Sequence, residues 1–407
     1  MKKILFLAIS LFLVTFSFAQ PQRLDMSTPA QMGMDPVRLS RVDQAINQAI
    51  NDTIIPGAVI AVVRKNKIVY LKAYGYKSIY PKKEKMTTDV VFDLASCSKP
   101  VGTATSIMQL VEAGQLRLTD KVSMYVPGFQ PYTDSTTGEK TDVRIIDLLT
   151  HSSGLPDYVN PSVIYAKYGN YNPESLIDWI AHCKKDFKPA TKFRYSCLNF
   201  ITLQNVLQNI TKQSLCDYAQ RNVFDKLGME HTTYSPAAQK KDEIMRLVAP
   251  TEKQPDGSVL LGVVHDPLAR LIGKGNSGNA GVFSSAEDLA LFAAAMMNGG
   301  EYGGRRILGD MTVKIMTTVP SGVKNLGRSL GWDNWSDYSS NLGNLFTPEV
   351  TYGHTGYTGT SIVIDPESKT AVILLANRVH PYDTGSVVRT RALVANIVAG
   401  AIVKEVK

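Results

Sequence analysis

The sequence predicts an α+β fold, an α/β sandwich whose antiparallel sheet is built from N- and C-terminal segments, flanked by helices and interrupted by a mostly helical insertion. Three observations predict it: a helix followed by a hairpin near the start, a hairpin followed by a helix near the end, and a run of helical patterns between them.

The chain opens with "MKKILFLAISLFLVTFSFAQ", two lysines, an unbroken apolar stretch and small residues around Ala19. That is the layout of a cleaved secretory signal over 1–19. The apolar run could just span a bilayer, but the small residues before Gln20 favour cleavage, and no cysteine follows to take a lipid. The expected product is secreted or periplasmic, with no stable membrane anchor. Next, "DPVRLSRVDQAINQAINDT" (35–53) spaces Leu39, Val42, Ile46 and Ile50 at helical intervals, and "IPGAVIAVVRKNKIVYLKAYG" reads as two β-rich runs about a Lys-Asn-Lys turn. Helical patterns follow at 99–114, 143–150, 173–183, 198–211 and 285–298, separated by polar connections such as "PYTDSTTGEKTD". Finally "GTSIVIDPESKTAVILLANR" repeats the hairpin form around Asp365 and Pro366, and "SVVRTRALVANIVAGAIVKEV" gives a closing amphipathic helix. The expected organisation is one domain over 20–407, with a sheet-containing part at 20–98 and 280–407 and a helical part at 99–279.

Net charge is +8, of which Lys2 and Lys3 leave with the signal, and the one dense basic run is the short "KKEK" at 82–85. Nucleic acid is not an expected partner. Four cysteines (Cys97, Cys183, Cys197 and Cys216) are too few for a disulfide scaffold, and their spacing matches no zinc pattern. No His-Glu-x-x-His occurs among the six histidines, so no metal is expected.

In "DLASCSKPVG" (93–102), Lys99 stands three residues after Ser96. Ser321 and Lys324 share that spacing, but "PSGVKN" holds Pro320 and Gly322 and reads as a loop, whereas Ile107, Leu110 and Val111 mark a helical face after Ser96. On a helix, positions i and i+3 share a face, so the Lys99 amine can reach the Ser96 hydroxyl. A serine hydroxyl is a poor nucleophile until a base takes its proton, and a lysine serves only if burial or nearby charge lowers its pKa. A helix N-terminus adds free N–H groups that stabilise an oxyanion. Taken alone, the pair would be read as an N-cap and a solvated lysine, since the pattern arises by chance in most long proteins. A rival, Ser329 in "GRSLG", fits Gly-x-Ser-x-Gly and could recruit Asp365 and His380. That elbow needs a helix after the serine, and "WDNWSDYSSNLGN" is not one, so it reads as a decoy.

Two further motifs follow in order: Tyr195 in "FKPATKFRYSCLNFITL", and His354, Thr355 and Gly356 in "YGHTGYTGTSIVIDP". With Ser96 and Lys99, this set resembles the serine β-lactamase and penicillin-binding-protein superfamily, specifically its class C β-lactamase, D-alanyl-D-alanine carboxypeptidase and esterase branch. "LLTHSSGLPDY", "VFDKLGMEHT", "HDPLA" and "GNAGVFSSAEDLALFAAAMMNGG" also look like segments of this family. The resemblance implies a β-lactamase/transpeptidase-like fold without a cofactor. It implies acylation of Ser96, proton transfers shared by Lys99 and Tyr195, an oxyanion hole from the backbone N–H groups of Ser96 and Tyr357, and substrate contacts at His354, Thr355, Gly356 and Cys197. Tyr195 is useful as a base only if Lys99 lowers its pKa from about 10.

Two departures bear on substrate. Cys197 stands where the family usually has Asn, and a thiol is a much weaker partner than an amide for a substrate amide. His354 stands where β-lactamases have Lys, and a histidine titrating near about 6.5 is mostly neutral at pH 7. His151 is expected to hold a turn by hydrogen bonding, and His231, His265 and His380 read as structural. The expected function is a secreted serine hydrolase acting on a D-alanyl-type peptide or an ester, a small-molecule or cell-wall peptide substrate. The alternatives are a weak class C-type β-lactamase and a catalytically silent muropeptide- or penicillin-binding module.

Overall fold

All eight residues of strand β1 (Gly57–Arg64) are buried, so this strand lies inside a sheet covered on both faces. The structure, a computed structural model, describes residues 23–403; the signal expected over 1–19 lies outside the described residues. β1 pairs antiparallel with β2 (Lys67–Ser78) through a two-residue turn. Lys65 and Asn66 there take φ of 49° and 62°, the left-handed pair that such a turn requires. β2 carries a short edge strand, β3 (Glu84–Lys85). On its other side β1 pairs with β6 (Thr370–Ala376), which pairs with β5 (Ser361–Asp365) and then β4 (Tyr352–Thr355), every pair antiparallel. The two hairpins read from the sequence are therefore neighbours in one six-stranded sheet, Ala61 lying between Leu71 and Ile373.

The strand alternation divides the core in two. Ala58, Ile60 and Val62 meet Val42 and Ile46 of helix α1 (Arg41–Asn51) and Val394 and Val398 of the closing helix (Val388–Ala401). Val59, Ala61 and Val63 face the larger core, formed with helix α4 (Ala286–Met297) and the inserted helices. Two inserted helices matter for the site: α2 (Thr105–Glu112) and α3 (Cys197–Thr211). Ile145–Leu149 and Pro173–His182 also form as the sequence predicts.

Four local details differ from expectation. The helix read at 99–114 begins as a π-helical stretch, Lys99–Ala104, because Pro100 has no N–H and the Thr105 and Ser106 hydroxyls donate to the carbonyls of Pro100 and Gly102. The pattern at 35–53 divides at Ser40 into Pro36–Leu39 and α1. Ser321–Leu326, read as a loop, is a 3-10 turn. A three-stranded sheet of Phe92–Asp93, Val282–Ser284 and Thr233–Tyr234 was not foreseen, since two or three residues are too few to display a period. All four cysteines are free thiols, and among the described residues no helix is long and apolar enough to cross a membrane.

Phe292 in α4 is fully buried, its ring 6.3 Å from that of Trp332. Phe292→Ala is expected to cost about 3–5 kcal/mol of unfolding free energy. Urea denaturation measures it, and a loss below about 1 kcal/mol would contradict the packing described.

Candidate active site

The strand Phe92–Asp93 ends in a turn that the backbone does not favour. Ala95 takes φ 45°, a left-handed conformation that alanine rarely adopts, and its N–H is held by Asp93 Oδ1 at 2.9 Å. The other Asp93 oxygen accepts the His265 N–H at 2.8 Å. This anchored turn presents Ser96 on a 3-10 turn, Ala95–Cys97, at the entry to the π-helical stretch.

Lys99 has no exposed surface. Its Nζ donates to Ser96 Oγ at 2.9 Å and to the Asn279 carbonyl at 2.9 Å, and lies 3.7 Å from Cys197 Sγ. Tyr195 stands just ahead of α3, its ring centroid 4.9 Å from Lys99 Nζ and its hydroxyl buried without a hydrogen-bond partner among the described residues. Behind it stacks His151, at 4.4 Å between ring centroids. His151 Nδ1 receives the Ser196 N–H at 3.0 Å and the Asn199 side-chain amide at 3.1 Å, the turn-holding role expected of it.

The end of β4 brings in His354, Thr355 and Gly356. The following loop is stitched to the serine turn: Thr358 Oγ1 donates to the Asp93 carbonyl at 2.7 Å and Thr360 Oγ1 to the Leu94 carbonyl at 2.9 Å. Glycine is required at 356, because a Cβ would stand 2.3 Å from the Leu94 carbonyl oxygen. Ser96, Tyr195, His354, Thr355, Gly356 and Tyr357 thereby line one cavity of about 290 Å³. The backbone N–H groups of Ser96 and Tyr357 have no backbone partner outside the regular elements among the described residues.

Cys197 departs from the expected substrate contact. It is the first residue of α3, and the helix start turns its thiol toward Lys99 instead of the cavity. Burial raises its thiol pKa. It is a neutral neighbour of the lysine, not a thiolate.

The lysine and tyrosine do not meet the condition of a lowered pKa in the resting protein. Burial acts most strongly on Lys99 and disfavours its charge, but Cys197 and Tyr195 as they ionise, and Asp266, act against it, and the pKa lies above the ordinary lysine value. Burial likewise dominates at Tyr195 and raises its pKa, although the Lys99 charge pulls the other way. The resting pair is thus an ammonium and a neutral phenol. His354 is expected near the ordinary histidine value, but burial, then Arg328 and Lys99, push its pKa well below it, so that it is neutral for a stronger reason. Its Nδ1 lies 2.9 Å from the Thr355 carbonyl, which can only accept, so Nδ1 carries the proton and the buried Nε2 is an unpartnered acceptor.

Ser329 is fully buried and outside the cavity lining. Asp365 is engaged by Thr351 Oγ1, and His380 Nε2 by the N–H groups of Ile79 and Tyr80, so neither forms a relay with it. Sequence reasoning passed over Arg328, Tyr338, Arg378 and Arg391 in the cavity wall. Arg328 sat inside the discarded "GRSLG", where a charged residue within an otherwise apolar and small motif was the available signal.

The β-lactamase family model matches residues 42–397. The chain belongs to the β-lactamase family. Among relatives in sequence, an Escherichia coli (strain K12) protein named "Putative D-alanyl-D-alanine carboxypeptidase" is 32% identical over 402 residues, covering 93% of this chain and 91% of its own. Among solved structures, the chain resembles EstCE1, described as a hydrolase with promiscuous acyltransferase activity, at TM-score 0.70 and 23% identity over 89% of this chain and 99% of that one. It resembles a β-lactamase/D-alanine carboxypeptidase from Pseudomonas syringae at TM-score 0.67 and 19% identity, over 89% and 99%. These two likenesses show the fold. As a member of the β-lactamase family this chain is a serine hydrolase of the β-lactamase and penicillin-binding-protein superfamily.

Gly356→Ala is expected to separate the loop from the serine turn. The variant should melt at lower temperature and label at least about tenfold more slowly with a fluorophosphonate; an unchanged labelling rate would show that the close approach is dispensable.

Proposed function

We propose that the protein is a secreted hydrolase that acylates Ser96 and then hydrolyses the acyl-enzyme, with a D-alanyl-type peptide or an ester as substrate. The observation that carries this reading is the 2.9 Å contact between Lys99 Nζ and Ser96 Oγ at the wall of a cavity that also receives Tyr195 and the Tyr357 N–H. In that reading residues 1–19 direct export, and 20–407 form one hydrolase domain with its sheet part at 20–98 and 280–407 and its helical part at 99–279.

Ser96 Oγ attacks the substrate carbonyl while its proton passes to the Lys99–Tyr195 pair, after that pair has lost one proton to solvent. The carbonyl oxygen, now an oxyanion, takes the N–H groups of Ser96 and Tyr357. On collapse the leaving amine or alkoxide takes the proton from the pair. Water then attacks the acyl carbon and gives its proton to the same pair, which passes a proton to Ser96 Oγ as the C–Oγ bond breaks and the acid is released. Thr355 and Gly356 line the substrate path beside β4. His354, neutral and with its Nε2 lone pair free, is a hydrogen-bond acceptor and not an anion-binding cation, which favours peptidase or esterase chemistry over β-lactam hydrolysis.

Ser96→Ala is expected to abolish labelling by a fluorophosphonate, read by intact mass, and Lys99→Ala and Tyr195→Phe to slow acylation by about 100-fold or more each. An adduct that persists in Ser96→Ala, or unchanged rates in both other variants, would remove these roles. The reactive form is the pair with one proton fewer, and both pKa values lie above their ordinary values. The acylation rate should therefore climb nearly in proportion to hydroxide from about pH 7 to about pH 9. Stopped-flow acylation with an activated ester reads this, and a plateau already reached below about pH 8 contradicts the assignment of protons.

A further inference from the structure

The closing helix (Val388–Ala401) brings Arg391, 8% exposed, to the wall of the cavity that holds Ser96. Its Nη2 donates to two carbonyls, those of Gly356 and Thr360, at 2.7 Å each. These carbonyls stand at the two ends of one tight turn. The Gly356 N–H donates to the Thr360 carbonyl at 2.7 Å, and the Gly359 N–H to the Gly356 carbonyl at 3.1 Å. A single guanidinium nitrogen therefore closes the turn that carries Tyr357.

The charge of Arg391 is not balanced where it lies. Arg328 and Arg378 of the same wall hold Asp333 and Asp383, whereas Arg391 pairs with no carboxylate among the described residues. Burial pulls its pKa down to about 10, so it is still a cation at neutral pH. The neighbouring Cys97 thiol, pushed by burial up to about 11, is neutral and offers no counter-charge. A buried cation without an anion is costly. Closing a turn does not require one: the neutral amide of Asn377 joins the carbonyls of Lys77 and Pro250 at 2.7 and 3.1 Å. The positive charge at 391 thus calls for a use beyond bracing.

The Gly356 carbonyl supplies it. That carbonyl and the Tyr357 N–H belong to one peptide unit, which is trans, the cis bonds being Tyr80–Pro81 and His380–Pro381. In a planar trans unit the C=O and N–H point in opposite directions, so holding the oxygen aims the N–H. A cation on the carbonyl oxygen also polarises the amide and makes its N–H a stronger donor. We propose that Arg391 is a positioning residue of the acylation step, aiming and polarising the Tyr357 N–H through the Gly356 carbonyl. The proposal rests on reading that N–H as a donor to the oxyanion formed at Ser96. Arg391 acts through the peptide and not on the reacting atoms.

Fluorophosphonate labelling of the full chain over a range of probe concentrations separates the rate constant of bond formation at Ser96 from the dissociation constant of the encounter complex. Arg391→Gln removes the charge and should lower the first by about tenfold to a hundredfold while leaving the second within about twofold. Arg391→Lys keeps the charge on a shorter side chain and should fall between, at least about threefold from the wild type and from the Gln variant, a recovery that bracing alone does not give. Thermal melts check folding, and should the Gln variant not fold, the slowing of the Lys variant against the wild type carries the test. An unchanged rate of bond formation, a loss that falls on probe binding instead, or a Lys variant as slow as the Gln variant overturns the proposal. A crystal structure of the phosphonylated wild type separates the two readings. A phosphoryl oxygen on the Tyr357 N–H, with variants that label at the wild-type rate, rejects the role of Arg391 alone; an oxygen directed elsewhere, or a wild type that does not label, rejects the donor assignment beneath it.

Discussion

A lysine ammonium with no exposed surface has to find its solvation inside the protein, and the surroundings of Lys99 are organised by that requirement. It is met by the Ser96 hydroxyl, the Asn279 carbonyl, the Cys197 thiol and the faces of Tyr195 and Phe200, with Nζ 4.9 and 5.8 Å from those ring centroids. These partners come from the serine turn, from α3 and its approach, and from the segment leading into the strand Val282–Ser284. One buried charge thus ties three distant stretches of chain together. Removing any of them leaves the charge short of a partner, which is a severe penalty in a low-dielectric interior.

The sheet supplies the other half of the arrangement. β4 lies at its edge, and the loop beyond it reaches the serine turn through Thr358 and Thr360, which donate to the carbonyls of Asp93 and Leu94. Those carbonyls follow the short strand that pairs with Val282–Ser284, so the small three-stranded sheet fixes the point at which the large sheet and the helical layer meet. The left-handed φ of Ala95 is tolerated there because the Asp93 carboxylate accepts its N–H. Strain at the serine turn and the approach of the loop that follows β4 are consequences of one junction.

The hairpins, the helices and the order of Ser96, Lys99, Tyr195 and His354 were legible because each rests on residue type and spacing. Other features have no such signature. Asn279 acts through its backbone carbonyl and Ala95 through its φ, so their side-chain identities announce nothing, and the Asp93 carboxylate accepts the N–H groups of Ala95 and His265, partners that only the folded chain brings to it. The three-stranded sheet is too short to show a period. The direction of the pKa shifts at Lys99 and Tyr195 could be set only as a condition, because it is what remains of opposing influences, burial against neighbours, whose balance depends on distances that only the folded chain sets. Cys197 could be read as a missing amide from the motif, but whether its side chain faced the cavity or the lysine depended on the turn that starts α3.

The histidine at 354 has a consequence for how charge is distributed in the cavity. A lysine there would place a mobile cation at the end of β4; a buried neutral imidazole removes it and leaves the positive charge of the wall to arginines. Two of those are committed to the fold: Arg378 holds Asp383, which also takes the Tyr357 hydroxyl, and Arg391 braces the loop carbonyls at Gly356 and Thr360. Their charge contributes to the field while most of their donors are engaged, Arg391 Nε being without a partner among the described residues. Arg328 differs because its counter-ion occupies one edge only, and its position raises the cost of a second positive charge at His354 and at His151. The neutrality of the histidines thus has two sources: burial, which acts most strongly on both, and the Arg328 charge that Asp333 holds beside them.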